Sequence, residues 1–300
     1  MIVAVTGATG YVGRFIVKKL IASGMAVRAW RRRSSDLTGL PEDIEWIEGE
    51  LGSEESAAAL VEGADMLVHA ALEHAPGRYR GGEGEDPARF WRLNVDGSAA
   101  LLRAARRAGV KRAVVFSSRA VFGANQTGPL GDDSEPSPDT HYGSAKAELE
   151  TFMRKFAKSW PVAALRPTGI YGIVEPVVRS KWFSLINDVL DGMPVNARAG
   201  TEVHGDDVAN ATWTLLQAPP DAIAGRAFNC SDIVVSHRDI VRLVHELAKI
   251  SGPVPEEGEL PQGIMRTDAL QALGVKFGGR PLFEKTIAAL VAAAQSVRSS

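Results

Sequence analysis

The sequence predicts an α/β fold: a doubly wound parallel sheet with helices on both faces, followed by a smaller, mainly helical C-terminal lobe. Short apolar runs typical of buried strands alternate with amphipathic helical patterns up to Gly172. The apolar runs lie at residues 2–6, 26–30, 44–47, 66–70, 113–116 and 162–165, and the helical patterns at 53–61, 88–108 and 144–159. Beyond Gly172 the alternation breaks, and the pattern predicts helices at 184–190, from 206, at 238–250 and at 284–294, with a strand at 227–230.

The first strand leads into a glycine-rich turn, Gly7-Ala8-Thr9-Gly10-Tyr11-Val12-Gly13, which opens the first helix. Gly7 permits a tight turn, Gly10 lets backbone approach a pyrophosphate, and Gly13 lets the helix pack on the strand. The helix N-terminus adds free N–H groups and the positive end of its dipole. Strand, turn and helix in this order predict a dinucleotide site in a Rossmann-like sheet, although glycine triplets also occur in ordinary strand-to-helix turns.

Composition narrows the classes of function. A net charge of -2 over 300 residues gives no general attraction to nucleic acid or to an anionic membrane. The single cysteine, Cys230, and six scattered histidines provide no metal-ligand spacing. No apolar run reaches the roughly 18 residues of a membrane span, and a strand starting at residue 2 leaves no room for a signal peptide. We therefore expect a cytoplasmic protein without a metal and without nucleic-acid or membrane partners.

The clearest chemical signal is Tyr142 with Lys146 four residues later, on one face of a predicted helix. A tyrosine with its ordinary pKa of about 10 is a poor base at pH 7, and a neighbouring cation helps it to exchange a proton with a substrate hydroxyl. Upstream, Ser117-Ser118 ends a strand, where ligands of open α/β sheets bind. Taken singly, these are a surface pair and a serine turn; together Ser118, Tyr142 and Lys146 predict a hydride-transfer site.

With these motifs the chain resembles the extended short-chain dehydrogenases/reductases, the NAD(P)-dependent epimerase/dehydratase family, over at least residues 1–232. The resemblance is carried by residues 6–13, 49–51, 68–71, 94–97, the Ser118 segment, Tyr142 with Lys146, 165–172 and 203–208. It implies that residues 1–172, with 203–232, form an NAD(P)-binding Rossmann domain. Residues 173–202 and 233–300 would form the substrate-binding lobe.

The resemblance also implies roles for single residues. Ser118 would orient the substrate oxygen, Tyr142 would act as acid and base, and Lys146 would bind the nicotinamide ribose and lower the pKa of Tyr142. Asn94 would have a structural or relay role. The implied cofactor contacts are Gly7, Thr9, Gly10, Tyr11, Val12, Gly13, Arg31, Arg32, Glu50, Leu51, Ala70, Ala71, Ser117, Tyr142, Lys146 and Pro167.

One departure from the family concerns the cofactor. At the end of the second strand, where NAD-users of the family carry an acidic residue for the ribose 2′-hydroxyl, this chain has Arg31-Arg32-Arg33. Guanidinium groups offer charge-assisted hydrogen bonds to a 2′-phosphate, whereas an acid would repel it. We therefore predict that NADP(H) is preferred, with Arg31 the principal contact, and NAD(H) is the alternative. A solvated basic turn without function is the other interpretation.

Further departures concern the substrate. Arg119-Ala120 replaces the Asp-Glu pair of the family's dehydratases, which argues against dehydration. Arg119 either clamps an anionic substrate or faces solvent, and Thr168 is a second candidate for substrate contact. Gly200 stands where nucleotide-sugar enzymes of the family carry an arginine for the diphosphate, so a nucleotide sugar is doubtful unless Arg179, Lys181 or Arg198 replaces that cation.

The leading interpretation is thus an NADP(H)-dependent oxidoreductase acting on a small molecule that carries a carbonyl or a secondary alcohol. One alternative is a sugar or nucleotide-sugar epimerase that retains its cofactor. Another is a dinucleotide-binding sensor without catalysis, against which the intact Ser118, Tyr142 and Lys146 argue. The family resemblance also suggests a homodimer formed through the helices predicted at 88–108 and 144–159.

Overall fold

The computed structural model describes residues 1–75 and 82–299, and it has the predicted α/β architecture. Its strands are β1 (Ile2–Thr6), β2 (Ala26–Arg31), β3 (Ile44–Glu48), β4 (Met66–His69), β5 (Arg112–Phe116), β6 (Val162–Pro167), β7 (Gly169–Tyr171), β8 (Ala199–His204), β9 (Ala227–Cys230) and β10 (Ile233–Ser236). Seven of them form one parallel sheet in the order β3-β2-β1-β4-β5-β6-β9. The order reverses between β1 and β4, where doubly wound sheets bind their ligands.

Helices cover both faces of this sheet, and others form the C-terminal region. In chain order the helices are α1 (Tyr11–Ala22), α2 (Glu54–Val61), α3 (Pro87–Trp91), α4 (Ser98–Arg107), α5 (His141–Arg154), α6 (Phe183–Leu190), α7 (Gly205–Gln217), α8 (Pro220–Ile223), α9 (His237–Ala248), α10 (Asp268–Ala272) and α11 (Gly279–Ser299). α1 and α7 pack on one face through residues such as Ile16 and Leu215. α2, α4 and α5 pack on the other through residues such as Leu60, Leu101 and Leu149.

The C-terminal region is helical and has its own core. β7, β8 and β10 form a second, three-stranded sheet, in which β8 pairs parallel to β7 and antiparallel to β10. Residues of α6, α9 and α11, including Ile186, Val241 and Ile287, pack against Tyr171 and Val235 of this sheet. None of the helices in the described part of the chain is long and apolar enough to span a bilayer.

Two features differ from the sequence prediction. The helix predicted at 88–108 is three segments, because a π-helical turn at Arg92–Gly97 separates α3 from α4. Inside that turn the Asn94 side chain bonds to the main chain of Glu73 and to the Phe90 carbonyl, contacts with distant backbone that periodicity does not reveal. The small sheet was also not predicted, since β7 has three residues and β8 contains Gly200, Thr201 and Glu202 in place of an apolar run.

Candidate active site

The glycine-rich turn between β1 and α1 has the shape of a phosphate cradle. Gly7 has φ +75°, and a Cβ there would lie 2.6 Å from the Ala70 carbonyl carbon. A Cβ on Gly13 would lie 2.0 Å from the Gly7 carbonyl oxygen, so the helix packs on the turn only with glycine at this place. Gly10 is the N-cap of α1 and has no side chain to occupy the first-turn N–H groups, which are left for a ligand. The cradle therefore fits a dinucleotide pyrophosphate.

Other side chains of the turn are bound to the protein. The Tyr11 hydroxyl donates to the Gly172 carbonyl at 2.7 Å and accepts from the Lys181 N–H at 3.0 Å. Arg179 donates to the Thr9 carbonyl at 3.4 Å, and Val12 packs against the main core. The Tyr11 hydroxyl thus joins the turn to the segment around Gly172 and Lys181.

A buried polar chain fixes the crevice between β1 and β4. The Thr6 hydroxyl lies 2.7 Å from Nδ1 of His69, and Nε2 of His69 lies 2.8 Å from the Ser98 hydroxyl. Thr6 also accepts from the Ala71 N–H at 3.1 Å, which holds the segment after β4. Burial lowers the pKa of His69 to about 3, helped by the nearby charge of Lys146, so this imidazole is neutral at physiological pH. The sequence analysis did not predict this row of hydrogen-bonded side chains.

The three arginines at the end of β2 have different environments. Arg31 is exposed and has no carboxylate partner within the described ranges. Arg32 pairs with Glu73 at 3.2 Å, and Arg33 pairs with Glu48 of β3 at 2.7 Å. After β3, Leu51 is buried in the core against α2 and α4, whereas Glu50 is exposed.

The start of α5, which carries Tyr142, packs tightly on the turn that follows β5 and begins at Ser118. Ser118 caps the 3₁₀ turn Arg119–Phe122, accepting from the Ala120 N–H at 3.1 Å, and its hydroxyl donates to no acceptor among residues 1–75 and 82–299. Thr140 caps α5, accepting from the Gly143 N–H at 3.0 Å. A Cβ on Gly143 would lie 2.3 Å from the Ala120 carbonyl oxygen, so glycine permits this contact. Tyr142, partly exposed, is therefore presented beside the Ser118 turn.

Lys146 lies beneath Tyr142 and is 7% exposed. Its Nζ donates to the Phe116 carbonyl at 2.7 Å and lies 5.9 Å from the centre of the Tyr142 ring. Burial lowers the pKa of Lys146 to about 8, a shift that the Glu150 carboxylate opposes. At neutral pH Lys146 is thus a cation held between the end of β5 and the phenol.

Behind Lys146 a buried ion pair links α5 to β6. Glu150 and Arg166 are each 1% exposed and are joined by two parallel bonds, Nε to Oε1 at 2.8 Å and Nη2 to Oε2 at 2.7 Å. The Ser117 hydroxyl donates to the same Glu150 carboxylate at 2.5 Å. The predicted contact of Ser117 with a cofactor would therefore use its main chain, while its side chain fixes the strand end next to Ser118.

The two predicted substrate residues are placed near the same strand ends. Arg119 donates to the carbonyls of Gly123 and Gly263 at 3.0 and 3.3 Å, so its guanidinium joins the Ser118 turn to a C-terminal loop. Thr168 follows Pro167, the buried last residue of β6, and donates to the Ser231 hydroxyl at 3.4 Å. In the described part of the chain, no three His, Cys, Asp or Glu residues are grouped to hold a metal.

Comparison with known proteins decides the family. The model of the NAD dependent epimerase/dehydratase family matches residues 3–231. This chain belongs to that family. Relatives in it include the 3β-hydroxysteroid dehydrogenase/Δ5→4-isomerase of Mycobacterium tuberculosis, 32% identical over 192 residues, or 61% of this chain and 51% of that protein. The UDP-glucose 4-epimerase of Azospirillum brasilense is 25% identical over 90% of this chain and 85% of its own.

A solved structure gives the same fold at full length. The UDP-glucose 4-epimerase of Thermotoga maritima, crystallised with UDP-glucose, superposes with a TM-score of 0.82 at 21% identity, covering 99% of both chains. The curated relatives are matched less fully, because the match spans about half the length of several of them (51% and 52%). The family and the fold are thereby shown, and the activity is argued from the site.

Proposed function

We propose that this protein is an NADP(H)-preferring oxidoreductase that transfers hydride between a nicotinamide and a small molecule carrying a carbonyl or a secondary alcohol. The observation that carries the proposal is the packing of α5, which holds Tyr142 and the buried cation of Lys146, on the Ser118 turn at the carboxyl end of β5. This is the edge at which open α/β sheets bind their ligands.

Each residue then has a definite task. The nicotinamide supplies or accepts the hydride when it is bound. The free hydroxyl hydrogen of Ser118 donates to the substrate oxygen, and Tyr142 gives that oxygen a proton in reduction or removes one in oxidation. Lys146, held by the Phe116 carbonyl, stabilises the phenolate by its positive charge. Most of the rate enhancement would come from holding the reactants in this geometry.

Substitution of Tyr142 tests the chemistry. Tyr142→Phe removes one oxygen and should lower kcat for NADPH-linked reduction by at least about 100-fold, with the Kd for NADPH nearly unchanged. Tyr171→Phe is the matched control, because the buried Tyr171 hydroxyl has no hydrogen-bond partner among the described residues. An active Tyr142→Phe enzyme would contradict the assignment. The substrate would be sought by screening aldehydes, ketones, sugar acids and free or nucleotide-linked sugars.

The NADP(H) preference rests on Arg31. It lies at the diagnostic place, the last residue of β2, and is exposed and without a carboxylate partner within the described ranges. An unpaired guanidinium offers a 2′-phosphate two parallel hydrogen bonds. Parallel fluorescence titrations with NADPH and NADH test this: tighter NADPH binding by about tenfold or more, about 1.4 kcal/mol, supports the proposal, and equal binding contradicts it.

Epimerisation is the second candidate, favoured by similarity to UDP-glucose 4-epimerases over nearly the whole chain. It would use the same three residues, but the cofactor would stay bound through purification. Two of the cations considered for a nucleotide diphosphate are engaged elsewhere: Arg179 pairs with Asp36, and Lys181 pairs with Glu202. Cofactor released by denaturing the purified protein, together with no net turnover, would favour the epimerase. Binding of NADPH without either activity would favour the sensor.

Three further assignments belong to the proposal. Residues 173–202 and 233–300 form the substrate lobe, in line with the separate core of α6, α9 and α11. The protein is cytoplasmic, in line with a single, buried cysteine. A homodimer would use α4 and α5, where Arg103 and Arg106 cover the rings of Phe152 and Phe156. Molar mass from light scattering tests the last assignment.

A further inference from the structure

An ion-pair bridge crosses the cofactor crevice at its adenosine end. Arg32 follows β2, and Glu73 follows β4; these strands lie on either side of β1 in the sheet. Strands two places apart are separated by about 10 Å. The Arg32 guanidinium and the Glu73 carboxylate nevertheless meet at 3.2 Å. Their side chains therefore span the carboxyl end of β1, from which the glycine-rich turn leaves.

Glu73 is a fixed negative charge rather than a mobile surface acid. Its N–H donates to the Asn94 side-chain oxygen and its carbonyl accepts from the Asn94 side-chain nitrogen, both at 2.8 Å. Its carboxylate also pairs with Arg89 of α3 at 3.2 Å. The Glu73 side chain is 27% exposed, against 60% for Arg32. Asn94 thus holds the acid in position while the arginine on the other side of the crevice can move.

We propose that Glu73 is a specificity-determining residue that competes with the cofactor 2′-phosphate for Arg32. The inference rests on the proposed function, in which the arginines after β2 receive that phosphate. A phosphate bound at Arg31 would lie close to Arg32, the next residue in the sequence. Arg32 would then either leave Glu73 and bind the phosphate, or stay paired with Glu73. Exposed ion pairs contribute little stability, so a phosphate dianion can displace this one. The remaining carboxylate would repel the phosphate, and salt would screen this repulsion.

The effect of Glu73 is specific for the phosphorylated cofactor. NADH has no 2′-phosphate, so it neither needs Arg32 nor meets this repulsion. Glu73 therefore lowers the preference for NADPH over NADH below the value that three arginines would give. Glu48 provides the internal comparison: it pairs with Arg33 in the same turn, but it belongs to β3, on the side of β2 away from the crevice.

The test is a set of fluorescence titrations on purified full-length variants, with NADPH and NADH at low and high salt. Glu73→Gln should tighten NADPH binding by about fivefold and leave NADH binding within about twofold. The gain should shrink at high salt, because screening weakens the removed repulsion. Glu48→Gln, the matched control, should change the NADPH-to-NADH affinity ratio by less than about twofold.

A double variant ties the effect to Arg32. In an Arg32→Gln background, Glu73→Gln should give a smaller gain, because part of its effect is the release of Arg32. Glu73→Asp keeps the charge but shortens the side chain that reaches Arg32, so its gain should be smaller than that of Glu73→Gln; an equal or larger gain would assign the effect to disturbed structure and overturn the proposal. Thermal melts of every variant show that the fold is retained.

The outcomes separate the inference from the proposed function. If wild-type protein prefers NADPH and Glu73→Gln leaves the ratio unchanged, Glu73 is not a competitor and the NADP(H) assignment stands. If wild-type protein shows no preference and Glu73→Gln creates one, the inference holds and the assignment of NADP(H) to the native protein is wrong. If Glu73→Gln selectively weakens NADH, the carboxylate binds ribose hydroxyls and the inference is overturned.

Discussion

Replacing Arg166 by methionine is expected to lower the free energy of unfolding by about 3–5 kcal/mol at pH 8, because it leaves a carboxylate buried without its cation. Arg166 supplies two parallel bonds to Glu150 at 2.7–2.8 Å, and both side chains are 1% exposed. The groups that remain near this carboxylate include the Ser117 hydroxyl at 2.5 Å, the Lys146 cation, and Arg154 at 3.4 Å, the last 46% exposed. None of them replaces a buried, bidentate guanidinium.

The assay is urea unfolding followed by circular dichroism, with Arg154→Met as the matched control on the same carboxylate. Arg154 is nearly half exposed, so its loss should cost less than about 1 kcal/mol. If the two variants lost equal stability, a buried uncompensated charge would not be the cause of the loss.

The remaining predictions concern the cradle and the cation. Gly13→Ala places a Cβ 2.0 Å from the Gly7 carbonyl and should weaken cofactor binding at least about tenfold in a titration, whereas Gly200→Ala, whose Cβ meets only Glu202 at 3.9 Å, should not. Lys146 loses its charge near pH 8, so kcat/KM should fall as pH rises through about 8. Because its pKa is below the unfolded value of 10.5, the unfolded chain binds more protons between these values, and the contribution of Lys146 to stability should rise with pH there. An unchanged kcat/KM between pH 7 and 9.5 would remove Lys146 from the chemistry.

The main sheet could be predicted from sequence because its central strands are buried on both faces. Runs such as 113–116 and 162–165 are apolar throughout and are separated by helical periods, a pattern that depends only on neighbouring residues. β8 could not be predicted in this way. Its pairing with β7 and β10 joins residues 30 or more positions apart, such as Gly169 with Glu202, and its own sequence has no apolar run.

The candidate site likewise contains residues that the sequence predicts and residues that it does not. Tyr142 and Lys146 could be predicted from sequence because a spacing of four residues places two side chains on one face of a helix, independently of the tertiary fold. Glu73 and Glu150 could not be found, because their roles come from partners 41 and 16 residues away, Arg32 and Arg166. Such pairings depend on strand order and helix docking, and these are set by the whole fold.

Hydrogen bonds of one buried arginine join the loop after β2 to the segment after Gly172. Arg14, 2% exposed in the first turn of α1, donates to the carbonyls of Asp36, Thr38 and Glu175. A cation is disfavoured at a helix N-terminus, and the hydrogen bonds of Arg14 to these three carbonyls offset that cost. The same hydrogen bonds join the loop after β2 to the segment after Gly172. Because that segment leads into the proposed substrate lobe, Arg14 ties the loop that follows the predicted 2′-phosphate contacts to that lobe.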